Sequence, residues 1–320
     1  MSAQAAAESP GNEGPDKERK GLTTGRKVLL AGLGFLLLTA IVGVVFGSSG
    51  MNDSYKPQNE FKLDPWIELK LGPVDMSINK AVLYLLLASV ATIATMLYIA
   101  NRMTDKPNRV QTAVETAFVL MRDNITRGNM DRRMATRWFS FVGTLFLFIW
   151  FSNMIGYIPL PTNTEHKVDV FGVHVPALAL YAATANLSVP LVLTLFVWFA
   201  YHVEGIRAKG VRGYFASWIP AGTPPKLRPL LFVIEAISHF VRIVSLSVRL
   251  FANILAGHLL ILFMGGGLVV LLGLAAVGVV TLPMAIVFFI FEVGLVATLQ
   301  AFIFATLTSI YFGGATAESH

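Results

Sequence analysis

The sequence predicts an all-α integral membrane protein with about five to six membrane helices and one amphipathic interfacial helix, and three observations predict it. Hydrophobic residues make up 55% of the 320 residues and charged ones 14%, a balance that excludes an ordinary soluble domain. Apolar runs lie near 28–47, 78–100, 138–160, 176–203, 228–264 and 268–312. Each reaches the roughly 20 residues that a helix needs to cross a hydrocarbon core of about 30 Å, and the signals are helical ones, not those of a barrel. Lys and Arg are unevenly shared between the connections. Eighteen fall in 1–27, 101–137 and 204–228 and five in 48–80 and 160–175, so the positive-inside rule puts the first group in the cytoplasm together with both termini. The net charge of +6 therefore reads as topology, and no nucleic-acid partner is expected beside the lipid bilayer.

Residues 1–27 are polar, without periodicity, and read as a disordered cytoplasmic tail. Basic residues in "KERKGLTTGRK" then precede 28–47, either an extra membrane anchor or a long signal peptide. The run is longer than a typical signal core and "GSSG" is a poor cleavage site, which favours a retained helix. Residues 48–77 form an outer-side segment, and 78–312 form the main membrane domain. Within it, 108–129 is too polar to span, yet Val110, Val114, Ala117, Phe118 and Met121 recur at helical spacing, as in an amphipathic helix on the inner surface. The last two runs are too long. Arg228 to Met264 as one helix would measure about 55 Å, so the helix must tilt, bend or begin in the interface. Pro283 offers a kink in the second run. "GGG" at 265–267 reads as the tight connection of a long, tilted hairpin, and 313–320 as a short tail.

Charges inside these runs are the functional candidates, because an unpaired intramembrane charge costs several kcal/mol. Arg249 is the sharpest. At 100° per residue, Glu235, Ser238, Arg242, Ser245, Asn253 and Ala256 fall within about 40° of it, so one stripe of this helix is polar and small. His258 is nine residues on, which places it on the opposite face and about 13 Å along the axis. Two polar paths staggered along one helix suit proton transfer. Arginine keeps its charge and cannot relay a proton itself, so its fitting role is to attract a mobile carboxylate and block direct leakage. The bland alternatives are a static ion pair of Arg249 with Glu235 or Glu292, snorkelling of Arg242, and helix-packing hydrogen bonds at Ser245 and Asn253. Glu292 and Gln300 lie in the final run. An antiparallel hairpin would bring Glu292 and His258 together as a proton-exchanging pair in the outer half. His202 and His166 read as solvated, and His239, about 80° off the Arg249 stripe, has a weaker claim. No metal cluster, phosphate loop or nucleophile triad stands out, so no metal, no cofactor and no hydrolytic chemistry is expected on this chain, which also has no cysteine.

The stretches "SLSVRLFANILAGHLL" and "LQAFIFATLTSIY", with "NMIGYIP" and "TANLSVPL" between other spans, resemble subunit a of the F-type ATP synthase, the ATPase A chain family, over about residues 57–312. The resemblance implies a stator subunit that lays its final hairpin against a rotating c-ring, beside the peripheral stalk subunit b and the other ATP synthase subunits. It also implies an energy-coupling membrane, a bacterial inner membrane above all. It implies that Arg249 faces the c-ring carboxylate, supported by Ser245, Asn253 and Arg242. His258, Glu292 and Asn186 would line the outer half-channel, Glu235 and Ser245 the inner one, and Gln300 would sit near the arginine. One spacing departs from the family. The acid-to-glutamine interval is expected at seven residues, but Glu292 to Gln300 is eight, which turns the offset from about −20° to +80° unless a π-bulge absorbs the extra residue. The other reading from residues alone is a self-contained secondary transporter or ion channel that uses Arg249 for an anionic substrate. The lack of an inverted repeat and of broken helices around the charge speaks against it.

Overall fold

The computed structural model describes Gly34, Leu37 and residues 61–317, apart from 72–73, 76, 105–106, 163–166, 171–172, 177, 221 and 273–276. The predicted tail 1–27 lies outside the described residues, as do nearly all of the 28–47 anchor and most of the outer segment. Among the described residues five helical stretches are long and apolar enough to cross a membrane. Three short antiparallel ribbons join them, β1 (Lys70–Leu71) with β2 (Val74–Asp75), β3 (Leu160–Pro161) with β6 (Leu178–Ala179), and β4 (Lys167–Val170) with β5 (Val173–Pro176).

Helix α1 (Lys80–Arg102) starts at Asn79, whose side chain accepts from the Val82 N–H and satisfies one of the free donors of the first turn. Its outer face, Leu86, Val90, Ile93 and Leu97, is exposed, as expected of a surface that meets lipid. The predicted amphipathic helix is present as α2 (Arg109–Val119), capped by Asn108 and continued by a π-helical stretch over Leu120–Arg127. Its buried face lies mostly in that second half, where Met121, Ile125 and Thr126 pack on the neighbouring spans, while Val110 remains exposed. On its rim Asp123 accepts from Arg122 and Arg127, and the Arg122 guanidinium holds its carboxyl below the usual carboxylate range.

Helix α3 (Arg132–Gly156) is the central post, with Val142, Phe146, Ile149 and Asn153 buried against α1 and the last helix. The run predicted at 176–203 becomes helical only at Ser188, where α4 (Ser188–Ala216) begins. Residues 176–187 hold β6 and a 3₁₀ turn at Ala183–Ala185 instead. The start is set locally. Pro190 fits a first helical turn, where its missing N–H costs nothing, and Asn186 accepts from the Ser188 N–H at 3.0 Å. Near its other end α4 turns at Gly210, with φ 71° and ψ 162°, a region open essentially to glycine alone. The chain doubles back far enough for the Tyr214 ring to lie over Gly205, where a β-carbon would collide with it.

Helix α5 (Arg228–Leu262) begins with Pro229 in its first turn and is 35 residues long, about 52 Å at 1.5 Å per residue. The glycines expected to end it do not. Phe263–Gly267 forms a π-helical turn, with the Leu268 N–H bonded to the Phe263 carbonyl, and helix resumes over Leu268–Leu272. Breaking the ladder inside a bilayer would strand unsatisfied backbone groups, so three glycines are not enough to stop it there. Helix therefore runs past the glycines to Leu272, and the described residues resume at Val277. The last span, α6 (Gly278–Thr316), is helical throughout, with Pro283 inside it and a π-helical turn at Glu292–Val296. It packs on α3 and α4 and forms the predicted hairpin with α5. The main core gathers around Phe146, Ile149, Leu246, Leu250, Ile254, Phe304 and Phe312.

Candidate functional site

Helix α5 carries three zones in order, an ionic cluster around His239, an exposed stripe centred on Arg249 and a buried cluster around His258.

The first zone sits at the end that carries residues 204–228, the end predicted to be inner. Glu235, His239 and Arg242 share one side of α5 and line a cavity of about 340 Å³ with Tyr201, Tyr214, Trp218 and Tyr311. Arg242 Nη2 donates to Glu235 Oε1 at 3.3 Å, and His239 Nε2 stands 3.6 Å from the same oxygen. Tyr201 Oη lies 2.9 Å from His239 Nδ1, and the Arg242 guanidinium lies 5.2 Å from the Tyr311 ring centre. Arg242 is thus folded inward and does not snorkel. One sequence expectation fails here. His202 is half-buried, not solvated, with its ring 4.9 Å from that of His239, which is 6% exposed and belongs to the cluster. The i, i+4 spacing of Glu235 and His239 is the signal that could have found the pair. The Tyr201 and Tyr311 contributions come from other helices and leave no trace in local spacing.

In the second zone Ser245, Val248, Arg249, Ala252, Asn253 and Ala256 are all exposed, so the part of the predicted stripe from Ser245 to Ala256 faces away from the chain, whereas Glu235, Ser238 and Arg242 are partly buried. Both internal acids considered as static partners are engaged elsewhere, Glu235 with Arg242 and Glu292 with Tyr157. Among the described residues Arg249 has no ion-pair partner. Gln300 is 5% exposed and has no hydrogen bond to Arg249. Ser245 Oγ lies 3.3 Å from the Arg242 carbonyl, and Asn253 projects freely.

The third zone lies towards the other end. His258 is fully buried, with Nδ1 3.0 Å from the Ile254 carbonyl and Nε2 3.1 Å from the Gly156 carbonyl. A neutral ring can donate to one of these acceptors and a protonated ring to both, so the site accommodates the ring in either state. His258 and Glu292 do not touch as a pair. Tyr157 stands between them, with its ring stacked on His258 at 4.5 Å and its hydroxyl donating to Glu292 Oε2 at 3.0 Å. Glu292 occupies the start of the π-helical turn, where the Ala297 N–H reaches back to the Glu292 carbonyl. That extra residue absorbs about 100°, which returns Glu292 and Gln300 to one buried face despite the eight-residue interval. Asn186 does not join this group. Its Oδ1 accepts from the Ser188 N–H at the start of α4, while Thr184 donates to Asn153 Oδ1 at 2.7 Å and Asn153 Nδ2 donates to the Ala297 carbonyl at 3.2 Å. Tyr157 and Asn153 sit in "NMIGYIP", a motif legible in the sequence although these two roles were not.

Between the two polar clusters the buried side of α5 is apolar apart from Ser247, whose hydroxyl is turned back onto the Ile243 carbonyl. From His239 to His258 is 19 residues, about 28 Å, and Leu246, Leu250 and Ile254 are each at most 1% exposed along the way. Among the described residues no charged or titratable side chain is buried on α5 between the two clusters, and Arg249 lies midway on the opposite, open side.

The family model of the ATP synthase A chain matches residues 82–313. The chain is 35% identical to ATP synthase subunit a of Rubrobacter xylanophilus over 77% of its length and 86% of the relative's. It is 33% identical to ATP synthase subunit a of Myxococcus xanthus, over 78% of this chain and 76% of that one. For ATP synthase subunit a of Pelagibacter ubique the identity is 32%, over 82% and 98%. With five helices among the described residues long and apolar enough to cross a membrane, and with these matches, the chain is a multi-pass membrane protein that belongs to the ATP synthase A chain family.

Proposed function

We propose that this chain is the membrane stator subunit of an F-type ATP synthase and that its two polar clusters are offset half-channels for protons moving to and from a rotating c-ring. The observation that carries the reading is the apolar plug of Leu246, Leu250 and Ile254 between clusters about 28 Å apart, with an unpartnered Arg249 on the exposed face. A proton meets no titratable side chain on the buried side of α5 along this stretch, so a carrier outside the chain would have to take it. The exposed stripe is where a partner carboxylate would collect it.

Protons enter from the outer side past Glu292, Tyr157 and His258, with Asn186 at the mouth, and protonate a carboxylate of the ring. The neutral acid enters lipid at little cost, whereas the anion would not. After nearly a full turn it reaches the inner path by Ser245 and Glu235 and ionises as Arg249 favours the anion. Arg249 also bars a shortcut, since its charge persists at any accessible pH. Each proton carried through the membrane field is worth about 2.3 kcal/mol per 100 mV. Ser245, Asn253 and Gln300 shape the surface around the arginine. The stalk subunit b and the remaining subunits hold the chain against torque. The Lys and Arg distribution supports cytoplasmic termini, and the bacterial relatives support an inner-membrane setting.

Arg249→Ala tests the reading. Complexes reconstituted in liposomes should assemble yet lose ATP synthesis driven by an imposed pH gradient. Full retention of synthesis would overturn it.

A further inference from the structure

We propose that His239 is a positioning residue of the inner path, one that holds the Glu235 carboxylate through a Tyr201–His239–Glu235 chain. The inference rests on the reading of Glu235 as an inner-path residue.

The tautomer of His239 follows from its neighbours. Its Nδ1 faces Tyr201 Oη at 2.9 Å and Arg242 Nη1 at 3.5 Å. The guanidinium can only donate, so Nδ1 is the acceptor and the neutral ring carries its proton on Nε2. That N–H stands 3.6 Å from Glu235 Oε1, the same oxygen that receives Arg242 Nη2, close enough to favour the anion electrostatically but longer than a hydrogen bond. Glu235 therefore has one charged donor bonded to it and one neutral N–H close beside it, both from the same helix. Tyr201 on α4 fixes the neutral one.

The surroundings keep this geometry. The groups that line the cavity with His239 are Glu235 and Arg242 on its own helix, Tyr201 and Tyr214 on α4, Trp218 beyond it and Tyr311 on α6. The His239 ring packs on Trp218 at 4.5 Å and on Tyr201 at 5.8 Å. His202 stands beside it with its Nδ1 donating to the Trp198 carbonyl at 2.8 Å, so its protonated side points away from the cluster. The turn at Gly210 folds Tyr214 and Trp218 over the cavity as a wall. A volume of about 340 Å³ leaves room for several waters beside Glu235, so the carboxylate is wet on one side and pinned on the other. The proton it exchanges travels between Glu235 and those waters. His239 neither gains nor loses one.

The test uses the whole ATP synthase reconstituted in liposomes, with inner and outer pH set independently and the proton flux measured. His239→Leu should move the midpoint of the inner-side pH profile upward by about 0.5 pH unit or less, because the anion loses a nearby N–H dipole, and leave the outer-side profile in place. His239→Gln, which keeps one donor and one acceptor, should recover most of the shift. Tyr201→Phe should give a smaller shift of the same sign, and it carries the test if His239→Leu does not assemble. Glu235→Gln separates the two readings. If it alters the inner profile while His239→Leu and Tyr201→Phe match the wild type, the positioning role is overturned. If Glu235→Gln itself matches the wild type, the inner-path reading falls instead.

Discussion

Gly257 is the position where the smallest change should do the most. It is buried on α5 beside His258, and a β-carbon there would lie within 3.0 Å of the carboxyl carbon and both oxygens of Glu292. Gly257→Ala therefore forces the carboxylate aside, since the α5 backbone is held by its own hydrogen-bond ladder and the Glu292 side chain has rotamers to spare. The movement breaks the 3.0 Å bond from the Tyr157 hydroxyl. A hydrogen bond to a charged group is worth about 1.5–3 kcal/mol, and overpacking of a filled site costs a similar amount. At 1.36 kcal/mol per tenfold, ATP synthesis driven by a pH gradient should fall by about 10- to 100-fold in assembled complexes. Gly266→Ala is the control, because a β-carbon there meets nothing within 4 Å. If Gly257→Ala synthesises ATP at the wild-type rate, the Tyr157–Glu292 contact does not belong to the rate-determining proton path.

Three further changes probe other parts of the fold. Glu204 is buried and paired with Arg137 at 2.7 Å, with Arg207 more distant at 3.9 Å. Arg137→Ala should lower stability by about 1–3 kcal/mol, less than for a fully enclosed pair because Arg137 is largely exposed, and the aggregation temperature of the solubilised complex would show it. Gly210→Ala places a side chain in the glycine-only region at a cost of about 1–3 kcal/mol. It should loosen the wall over the inner cavity, read as faster cleavage of the 204–228 connection by added protease. Leu250→Ser puts a hydroxyl into the plug three residues from Ser247. Vesicles containing the membrane sector alone should then dissipate a pH gradient faster than with the wild type, and an unchanged rate would show that the plug is not the barrier.

What could be read in the sequence follows the physics of a single helix. Apolar length gave the spans, and the 100° step gave the opposed faces of Arg249 and His258, because both depend only on the helix that carries them. The same step went astray at His239. Its angle to Arg249 was right, but its partners Tyr201 and Tyr311 arrive from α4 and α6, and the lid of Tyr214 and Trp218 depends on a positive φ at Gly210. Tyr157 escaped for the same reason, as its role arises from a ring wedged between α5 and α6. The glycine run at 265–267 misled because glycine breaks helices in water, where freed backbone groups find solvent, and does so far less in lipid. The π-helical turn at Glu292 was legible only as a one-residue discord in spacing.

That discord helps explain how one chain keeps two proton paths apart. α6 has to bury Glu292 beside Tyr157 near one end and Gln300 on the same face further along, and an unbroken α-helix cannot do both with eight residues between them. The π-helical turn resolves the phase. It also leaves Gly294 and Leu295 exposed on the other side, on a face available to a neighbour. On α5 the partition is made by side chains, with Leu246, Leu250 and Ile254 packed inward and Arg249 outward. Titratable groups of α5 gather at the two ends of its buried side, and Arg249 stands exposed between them. A proton entering such a chain has a place to wait, an apolar stretch of α5 ahead of it, and one exposed guanidinium marking where a carrier would come for it.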